Sequence, residues 1–185
     1  MKTLATTLPG LIVMEPAIHG DSRGWFQETY RQNVLAEMGI THDFVQDNQS
    51  RSARGVLRGL HFQTGDFAQA KLVRVLQGEV LDVAVDLRQN SPTFGQHFSI
   101  LLSESNKKQL FIPRGFAHGF LTLSETAVFA YKVDNVYSKA HEGGICYNDQ
   151  ELAINWELPN HELLLSEKDT LLPSFQQWKE NSNQQ

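Results

Sequence analysis

The fold of this chain is decided by Gly55-Val56-Leu57-Arg58-Gly59-Leu60-His61-Phe62-Gln63. Most of this stretch is apolar, yet it contains a guanidinium at Arg58 and an imidazole at His61. Burial of an unpaired charge is costly, so both side chains must find polar partners. On a regular strand, residues three apart point to opposite faces, but Gly59 would permit a bulge that brings the two together.

The same stretch resembles the first motif of the cupin fold, which runs Gly, five residues, His-x-His, a short gap, Glu, six residues, Gly. In this chain Gln63 stands at the second His, and Lys71 stands at the Glu, counted back from Gly78. Pro113-Arg114-Gly115-Phe116-Ala117-His118 resembles the second motif, Pro-x-Gly-x-x-His. A neutral amide is a poor transition-metal ligand, and an ammonium repels a cation. We therefore expect no metal site and a barrel that holds an organic anion.

Alternation of two kinds of side chain, typical of strands, is clearest over residues 81–87 and 127–133. Further strands are predicted at residues 11–14, 25–30, 56–62, 71–76, 97–102 and 109–112. Many short strands between turn residues indicate an antiparallel sandwich or barrel. Helices are predicted only at residues 31–38 and 174–180. With the cupin resemblance, the expected fold is all-β (mainly β): an antiparallel cupin jelly-roll barrel with a few short helices.

Size and composition indicate one domain. The chain has 185 residues, of which 41% are hydrophobic, enough for a single core. We expect residues 1–185 to form one cupin-type domain with its core at about 5–175 and a frayed polar tail at 181–185.

Net charge and the search for targeting signals limit the possible partners and the cellular location of the protein. A formal charge of -5 argues against broad nucleic-acid binding, which needs a basic surface. The N-terminus lacks the apolar run of a signal peptide, and no stretch is long enough to cross a bilayer. The single Cys146 cannot form an internal disulfide. The expected location is the cytoplasm, with no membrane partner.

Each candidate catalytic residue also has a structural interpretation. His61 alone would suit a hydrogen-bonded structural histidine, and Lys71 would suit a solvated charge at a strand edge. Tyr131 shares a strand face with apolar residues and would suit a core tyrosine. Asp82 and Asp86 share one face of a strand, where they would orient a base or a cation if that face lines the barrel, and would be surface carboxylates if it faces water.

Two polar segments lie in the first third of the chain. Residues 21–28 form a turn that feeds a strand, with Arg23 placed to clamp an anion and Phe26 to stack on a ring. Gln46-Asp47-Asn48 interrupts another strand with three hydrogen-bonding side chains. Turn chemistry would explain either segment alone, but their presence together with Arg58 and His118 favours a binding site.

Five motifs in unbroken order over about residues 5–175 resemble the dTDP-4-dehydrorhamnose 3,5-epimerase family: Asp-x-Arg-Gly at 21–24, Gly-x-x-Arg-Gly-Leu-His at 55–61, Asp-Leu-Arg at 86–88, Pro-Arg-Gly-Phe-Ala-His-Gly-Phe at 113–120 and Ser-Glu-Lys-Asp at 166–169. The resemblance implies a metal-free cupin jelly roll, a homodimer and no cofactor. It also implies inversion of two carbons in a dTDP-linked 4-keto-6-deoxyhexose, on the route to dTDP-L-rhamnose.

The resemblance implies four catalytic residues. Carbons 3 and 5 both flank the C4 ketone, so loss of either proton gives an enolate on the same oxygen. The family pattern places the base at His61, its carboxylate partner at Asp169, the enolate-stabilising cation at Lys71 and the proton donor at Tyr131.

The resemblance also implies a set of substrate-binding residues, of which Phe26 and Tyr137 are the expected stacking partners of the thymine. The set is Arg23, Phe26, Glu28, Gln46, Asp47, Asn48, Arg58, Lys71, His118, Tyr137, Glu142 and Lys168.

Several alternatives stay open at this point. Relatives that invert only C3 or C5, or that act on another nucleotide sugar, share most of the pattern, and a sugar 3,4-ketoisomerase is the nearest enzymatic rival. A metal-dependent cupin oxygenase or isomerase would need three or four His/Glu ligands, whereas only His61 and His118 stand at motif positions. A non-catalytic sugar-binding cupin would bind the nucleotide sugar without exchanging its protons.

Overall fold

The computed structural model describes residues 1–182, which form thirteen strands and three α-helices. The strands are β1 Lys2–Ala5, β2 Ile12–Glu15, β3 Ile18–Asp21, β4 Gly24–Gln27, β5 Gln46–Ala53, β6 Leu57–Gln63, β7 Lys71–Gln77, β8 Glu79–Asp86, β9 His97–Ser103, β10 Gln109–Ile112, β11 Phe116–Thr122, β12 Thr126–Val133 and β13 Glu142–Gly144. The helices are α1 Gln32–Glu37, α2 Glu167–Thr170 and α3 Phe175–Ser182.

Two antiparallel sheets form the barrel. The six-stranded sheet has the order β1-β2-β10-β7-β12-β5, and the five-stranded sheet has the order β13-β6-β11-β8-β9. Strands β3 and β4 form a separate hairpin. The prediction of a mainly β, antiparallel cupin jelly roll with a few short helices is confirmed.

The main core lies between the two sheets. Alternate residues of β12, such as Phe129, pack against alternate residues of β8 and β11, such as Ala84 and Phe120. The rings of Phe120 and Phe129 stack with centroids 4.2 Å apart. The inward face of β8 is therefore the one that carries Asp82 and Asp86.

Two smaller clusters cover the outer faces. The C-terminal segment, with Trp156 and Phe175, packs on the outside of the five-stranded sheet. Leu35 of α1 and the nearby Ile40 pack on the outside of the six-stranded sheet. Because both sheets have both faces occupied, the strands at their centres are almost entirely buried.

Most strand predictions are confirmed, within one to three residues at their ends. Strand β4 ends at Gln27, three residues earlier than predicted, because its only partner is the short β3. The prediction that residues 46–48 interrupt a strand is wrong, since Gln46 begins β5. Strands β1, β3, β5, β11 and β13 and helix α2 were not predicted.

The C-terminal tail differs in part from the expectation of fraying. Helix α3 continues through Ser182, and the remaining residues, 183–185, lie outside the described part of the chain. Among residues 1–182, no helix combines the length and the apolar sequence that spanning a bilayer requires.

Candidate active site

A cavity of about 630 Å³ opens between the two sheets. Its walls come from β5, β6, β7, β11 and β12, and residues 164–169 cover one side. This volume suits a small organic ligand. Eight of the residues predicted for the site line the cavity: Asn48, Arg58, His61, Lys71, His118, Tyr131, Lys168 and Asp169.

A β-bulge brings Arg58 and His61 into the same cavity. On β11, His118 pairs with His61 and Phe120 pairs with Arg58, so two residues of β6 lie opposite one residue of β11. Gly59 has a φ of 139°, and a Cβ there would lie 2.5 Å from the Cα atom on the facing strand. The bulge that the sequence permitted at Gly59 is present, and only glycine fits it.

His61 and Asp169 form a hydrogen-bonded pair. Nε2 of His61 lies 2.6 Å from Oδ1 of Asp169, whose side chain is 4% exposed. Ser166 fixes the backbone of Asp169, because its hydroxyl caps α2 by accepting from the Asp169 N–H at 3.2 Å. With Nε2 engaged, Nδ1 is the ring nitrogen left to accept a proton from a ligand.

The surroundings of His61 favour the neutral imidazole. Burial lowers the pKa of His61 below its ordinary value, and the charges of Lys71 and Lys168 act in the same direction. The carboxylate of Asp169 opposes them. A neutral imidazole beside a carboxylate is the form that a general base requires.

Lys71 starts β7 and reaches into the cavity beside His61. Its Nζ atom lies 3.5 Å from the backbone oxygen of His61. Burial lowers the pKa of Lys71 to about 8, while the carboxylates of Asp82 and Glu142 oppose that fall. Near neutral pH the ammonium stays charged, at a position where it can meet an anionic oxygen.

Tyr131 faces His61 from the opposite sheet. It lies on β12 in the six-stranded sheet, whereas His61 lies on β6 in the five-stranded sheet. Burial raises the pKa of Tyr131, and the charge of Arg58 moderates the rise. The phenol is therefore protonated near neutral pH and can serve as a proton donor.

The cavity wall carries more positive than negative charge. Arg58, Lys71 and Lys168 line it together with one carboxylate, Asp169, which is paired with His61. The Nε–H of Arg58 donates to the hydroxyl of Ser52 at 3.1 Å, which leaves the terminal nitrogens of the guanidinium for a ligand. Such a site suits an anion, since a guanidinium binds phosphate oxygens in a defined geometry.

A chain of polar contacts forms the rim. The hydroxyl of Tyr137 donates to Glu142 at 2.8 Å, and Nζ of Lys168 lies 2.5 Å from the same carboxylate. Gln63, at the position of a cupin metal ligand, accepts from the backbone N–H of Ser138 at 2.9 Å. The amide that replaces the second His therefore holds the loop that carries Tyr137.

Besides Tyr137 and Glu142 at the rim, five predicted binding residues lie away from the cavity wall. Arg23 and Phe26 lie on the exposed β3–β4 hairpin, where Arg23 pairs with the nearby Asp21 at 2.5 Å and the Phe26 side chain is 68% exposed. Glu28 follows the hairpin and pairs with Arg31, the residue just before α1, at 3.1 Å. The other two are Gln46, which donates to Asn48, and Asp47, which pairs with Lys132 at 2.7 Å. Their substrate-binding roles stay predictions.

Two supporting residues were not predicted. Ser52 orients Arg58, and Ser166 caps the helix that carries Asp169. The Ser-x-x-Asp spacing at 166–169 is a helix N-cap signal that could have indicated Ser166. Ser52 has no such signal, because its contact depends on how β5 pairs in the sheet.

Residues 1–182 contain no group of three or more His, Cys, Asp or Glu side chains arranged to hold a metal ion. Of the motif positions that bear metal ligands in cupins, His61 pairs with Asp169, and His118 lies 2.9 Å from Asp82. At a third of these motif positions, Lys71 has a positive charge in place of a metal ligand.

Comparison with known proteins identifies the family. A family model described as dTDP-4-dehydrorhamnose 3,5-epimerase matches residues 5–177. The enzyme of that name from Pseudomonas aeruginosa is 54% identical over 91% of this chain and 93% of its own length. The crystal structure of the enzyme from Elizabethkingia anophelis is 52% identical, with a TM-score of 0.93 over 96% of this chain and 97% of that one.

A second solved structure contains a ligand. It is the dTDP-6-deoxy-D-glucose-3,5-epimerase of Legionella pneumophila in complex with dTDP-4-keto-L-rhamnose, with 49% identity and a TM-score of 0.90 over 94% of this chain and 92% of that one. Together with the family model, these similarities show that this chain belongs to the dTDP-4-dehydrorhamnose 3,5-epimerase family.

Proposed function

We propose that this protein converts dTDP-4-dehydro-6-deoxy-D-glucose to dTDP-4-dehydro-L-rhamnose, in the biosynthesis of dTDP-L-rhamnose. The family match and the ligand of the Legionella relative support the substrate class. The positive cavity wall provides the charge that a nucleoside diphosphate requires.

One observation carries the proposal: a proton acceptor and a proton donor approach the cavity from facing sheets. The His61–Asp169 pair belongs to the side of the five-stranded sheet, and Tyr131 belongs to the six-stranded sheet. A sugar ring between them would lose a proton from one face and receive one on the other. Transfer from opposite faces inverts the carbon, whereas return of the proton by His61 would restore the starting configuration.

The two inversions share one stabilised intermediate. His61 removes the proton from C3 or C5, and the electron pair of that C–H bond moves onto the C4 oxygen as an enolate. Lys71 lies beside His61 and places a positive charge where this oxygen becomes negative. Tyr131 then gives its proton to the carbon, and the ketone re-forms.

The exposed hairpin supports a homodimer. Trp25 and Phe26 are 59% and 68% exposed, although large aromatic side chains are usually covered. Arg23, Phe26 and Glu28, implied in substrate binding, lie outside the cavity wall of their own chain. We infer that the hairpin packs on a second copy and supplies these residues to that copy's site.

The proposed location is the cytoplasm. Its support is the sequence: one cysteine in 185 residues cannot form an internal disulfide. The thiol of Cys146 is half-buried, and burial raises its pKa, which suits a structural cysteine. Fractionation of the cells that make the protein would test the location directly.

The decisive experiment is NMR of dTDP-4-dehydro-6-deoxyglucose incubated with the protein in deuterated water. We expect deuterium at both C3 and C5, together with signals of the inverted sugar. Deuterium at only one carbon would identify an epimerase for that carbon. Binding of the nucleotide sugar without any exchange would contradict an enzymatic function.

A single variant tests whether one base serves both carbons. We expect His61→Ala to lose exchange at C3 and at C5, because one imidazole faces the cavity next to Asp169. Retained exchange at either carbon would show that a second base exists. Binding of dTDP to the variant provides the control for folding.

A further inference from the structure

Gln63 is the last residue of β6 and lies two residues after His61. It stands where a cupin has a metal ligand, but its side chain is engaged with a loop. Gln63 is 9% exposed, and its Oε1 atom accepts from the backbone N–H of Ser138 at 2.9 Å. Buried polar groups are normally paired, because an unmade hydrogen bond is costly. This bond ties the end of β6 to a segment 75 residues further along the chain.

That segment is the rim loop, residues 134–141, which joins β12 to β13. It lies beside residues 64–70, which join β6 to β7. Hydrogen bonds connect the two loops towards both ends of the rim loop: Nε2 of Gln69 donates to the backbone oxygen of Asn135 at 2.8 Å, and the N–H of Thr64 donates to that of His141 at 2.9 Å. The bond from Gln63 lies between these two contacts and is the one next to Tyr137.

Tyr137 is held at two points. Its hydroxyl donates to Glu142 at 2.8 Å, which fixes the end of the side chain. The N–H of Ser138 belongs to the planar peptide unit that follows Tyr137, so the bond to Gln63 fixes the backbone from which the ring projects. Tyr137 is still 53% exposed, so a planar base can stack on its ring.

We propose that Gln63 is a positioning residue for the nucleotide, which holds the Tyr137 ring where the thymine stacks and takes no part in proton transfer. This inference rests on the proposed function, since that function supplies the thymine. The hydrogen bond of Gln63 goes to the rim loop and engages none of the catalytic residues. Its loss should therefore weaken nucleotide binding and leave the chemical step intact.

The test is the affinity of Gln63→Met for dTDP, measured by isothermal titration calorimetry. Methionine is unbranched and of similar length, but its thioether is only a weak acceptor for the Ser138 N–H. We expect the Kd for dTDP to rise about 5- to 30-fold, the usual effect of one unmade hydrogen bond. An unchanged Kd in the folded variant would overturn the proposal.

Gln177→Met is the matched control. The Oε1 atom of Gln177 also accepts a backbone N–H at 2.9 Å, that of Ser174, but it does so in α3, away from the cavity wall. We expect this variant to bind dTDP as the wild-type protein does. An equal loss of affinity in both variants would overturn the proposal, because the effect would then not depend on the rim loop.

The kinetics of deuterium exchange separate positioning of the base from a role in the chemistry. Gln63→Met should raise KM and keep kcat within about threefold, because a contact made equally in the ground state and the transition state affects binding alone. A lower kcat with an unchanged KM would overturn the proposal. If the wild-type protein exchanges no deuterium, the proposed function fails, and the dTDP titration still decides the role of Gln63.

Tyr137→Ala shows whether Gln63 acts through the ring. Loss of one base-stacking contact should raise the Kd for dTDP about 5- to 150-fold. Addition of Gln63→Met to this variant should cause no further rise, because the ring that Gln63 positions is gone. Losses that multiply in the double variant would overturn the proposal.

Gln63→Asn covers the case in which Gln63→Met does not fold. It keeps the amide but is one methylene shorter, so it cannot reach the Ser138 N–H and should also weaken dTDP binding. Wild-type affinity in Gln63→Asn would overturn the proposal. Failure of both variants to fold would do the same, because Gln63 would then be a structural residue.

Discussion

Replacement of Asp169 by Asn is the sharpest test of the proton-transfer geometry. The carboxylate holds Nε2 of His61 at 2.6 Å, and its backbone is fixed independently by the Ser166 cap. The side chain of Asn has nearly the same shape, so the helix and the contact should persist. The substitution removes the negative charge and replaces a hydrogen-bond acceptor by an amide. The amide can donate to Nε2, so the ring proton moves to Nδ1, which is the nitrogen needed as the base.

The size of the effect follows from two losses. The imidazolium formed on proton abstraction would face Lys71 and Lys168 without its hydrogen-bonded carboxylate. A hydrogen bond to a charged group contributes about 1.5 to 3 kcal/mol, and the wrong tautomer adds a comparable penalty. A total of about 3 to 5 kcal/mol corresponds to a fall of about 10²- to 10⁴-fold in exchange rate.

A slower exchange in Asp169→Asn would not mean that His61 has become protonated and can no longer accept a proton. Asp169 raises the pKa of His61, so its removal lowers that pKa further below the ordinary value. The imidazole of the variant is therefore neutral at pH 7. A higher pH should not restore the lost rate.

The assay is deuterium incorporation at C3 and C5, followed by NMR under single-turnover conditions. Glu167→Gln is the matched control, because Glu167 lies exposed in the same short helix and loses the same charge. We expect the control to stay within about twofold of the wild-type rate, because an exposed and distant charge is screened. An Asp169→Asn variant that folds and keeps its rate within tenfold of wild type would refute the pairing as a catalytic device.

Three further predictions concern other parts of the fold and site. Tyr131→Phe should keep exchange while inversion falls, because the phenol acts after the enolate forms; an equal fall of both from the first turnover would show that the two roles are not separate. Exchange by the wild-type protein should be bell-shaped in pH, with an acid limb below about 6.5, since the pKa of His61 is lowered. The alkaline limb should lie near pH 8, where Lys71 loses its proton, and Lys71→Arg should shift whatever activity remains to higher pH. Gly59→Ala should lower the free energy of unfolding by about 2 to 4 kcal/mol in urea. Gly39→Ala, also at a positive φ but with open space around it, should cost about 1 kcal/mol. Equal losses would mean that the contact of Gly59 with β11 does not matter.

The sequence predicted most of the strands because the alternation of side chains is strong where one face is apolar. Strand β5 was missed for the opposite reason: from Gln46 to Ala53 nearly every residue is polar, since one face lines the cavity and the other meets solvent. Strand β11 was missed because both of its faces are buried, so the apolar residues do not alternate.

The site could be predicted only as a set of residues. The motifs named His61, Lys71 and Tyr131, but their relation depends on which sheet each strand joins, and local sequence does not determine strand pairing. Whether Arg58 and His61 share a face depended on the bulge at Gly59, which the sequence permitted without requiring. The position of the β3–β4 hairpin outside the cavity wall had no local signal either.

Because Lys71 stands where a cupin has a metal ligand, the positive charge of the site depends on protonation of the lysine instead of on a bound metal ion. A metal ion in a cupin barrel would be held by several ligands and would keep its charge across the neutral pH range. An ammonium needs no ligands, but its charge is lost when burial lowers its pKa far enough, and for Lys71 burial already brings that value to about 8. The site must bury the lysine to exclude water from the enolate, and this same burial weakens its charge. The carboxylates of Asp82 and Glu142 offset part of this loss, because both raise the pKa of Lys71 against the effect of burial.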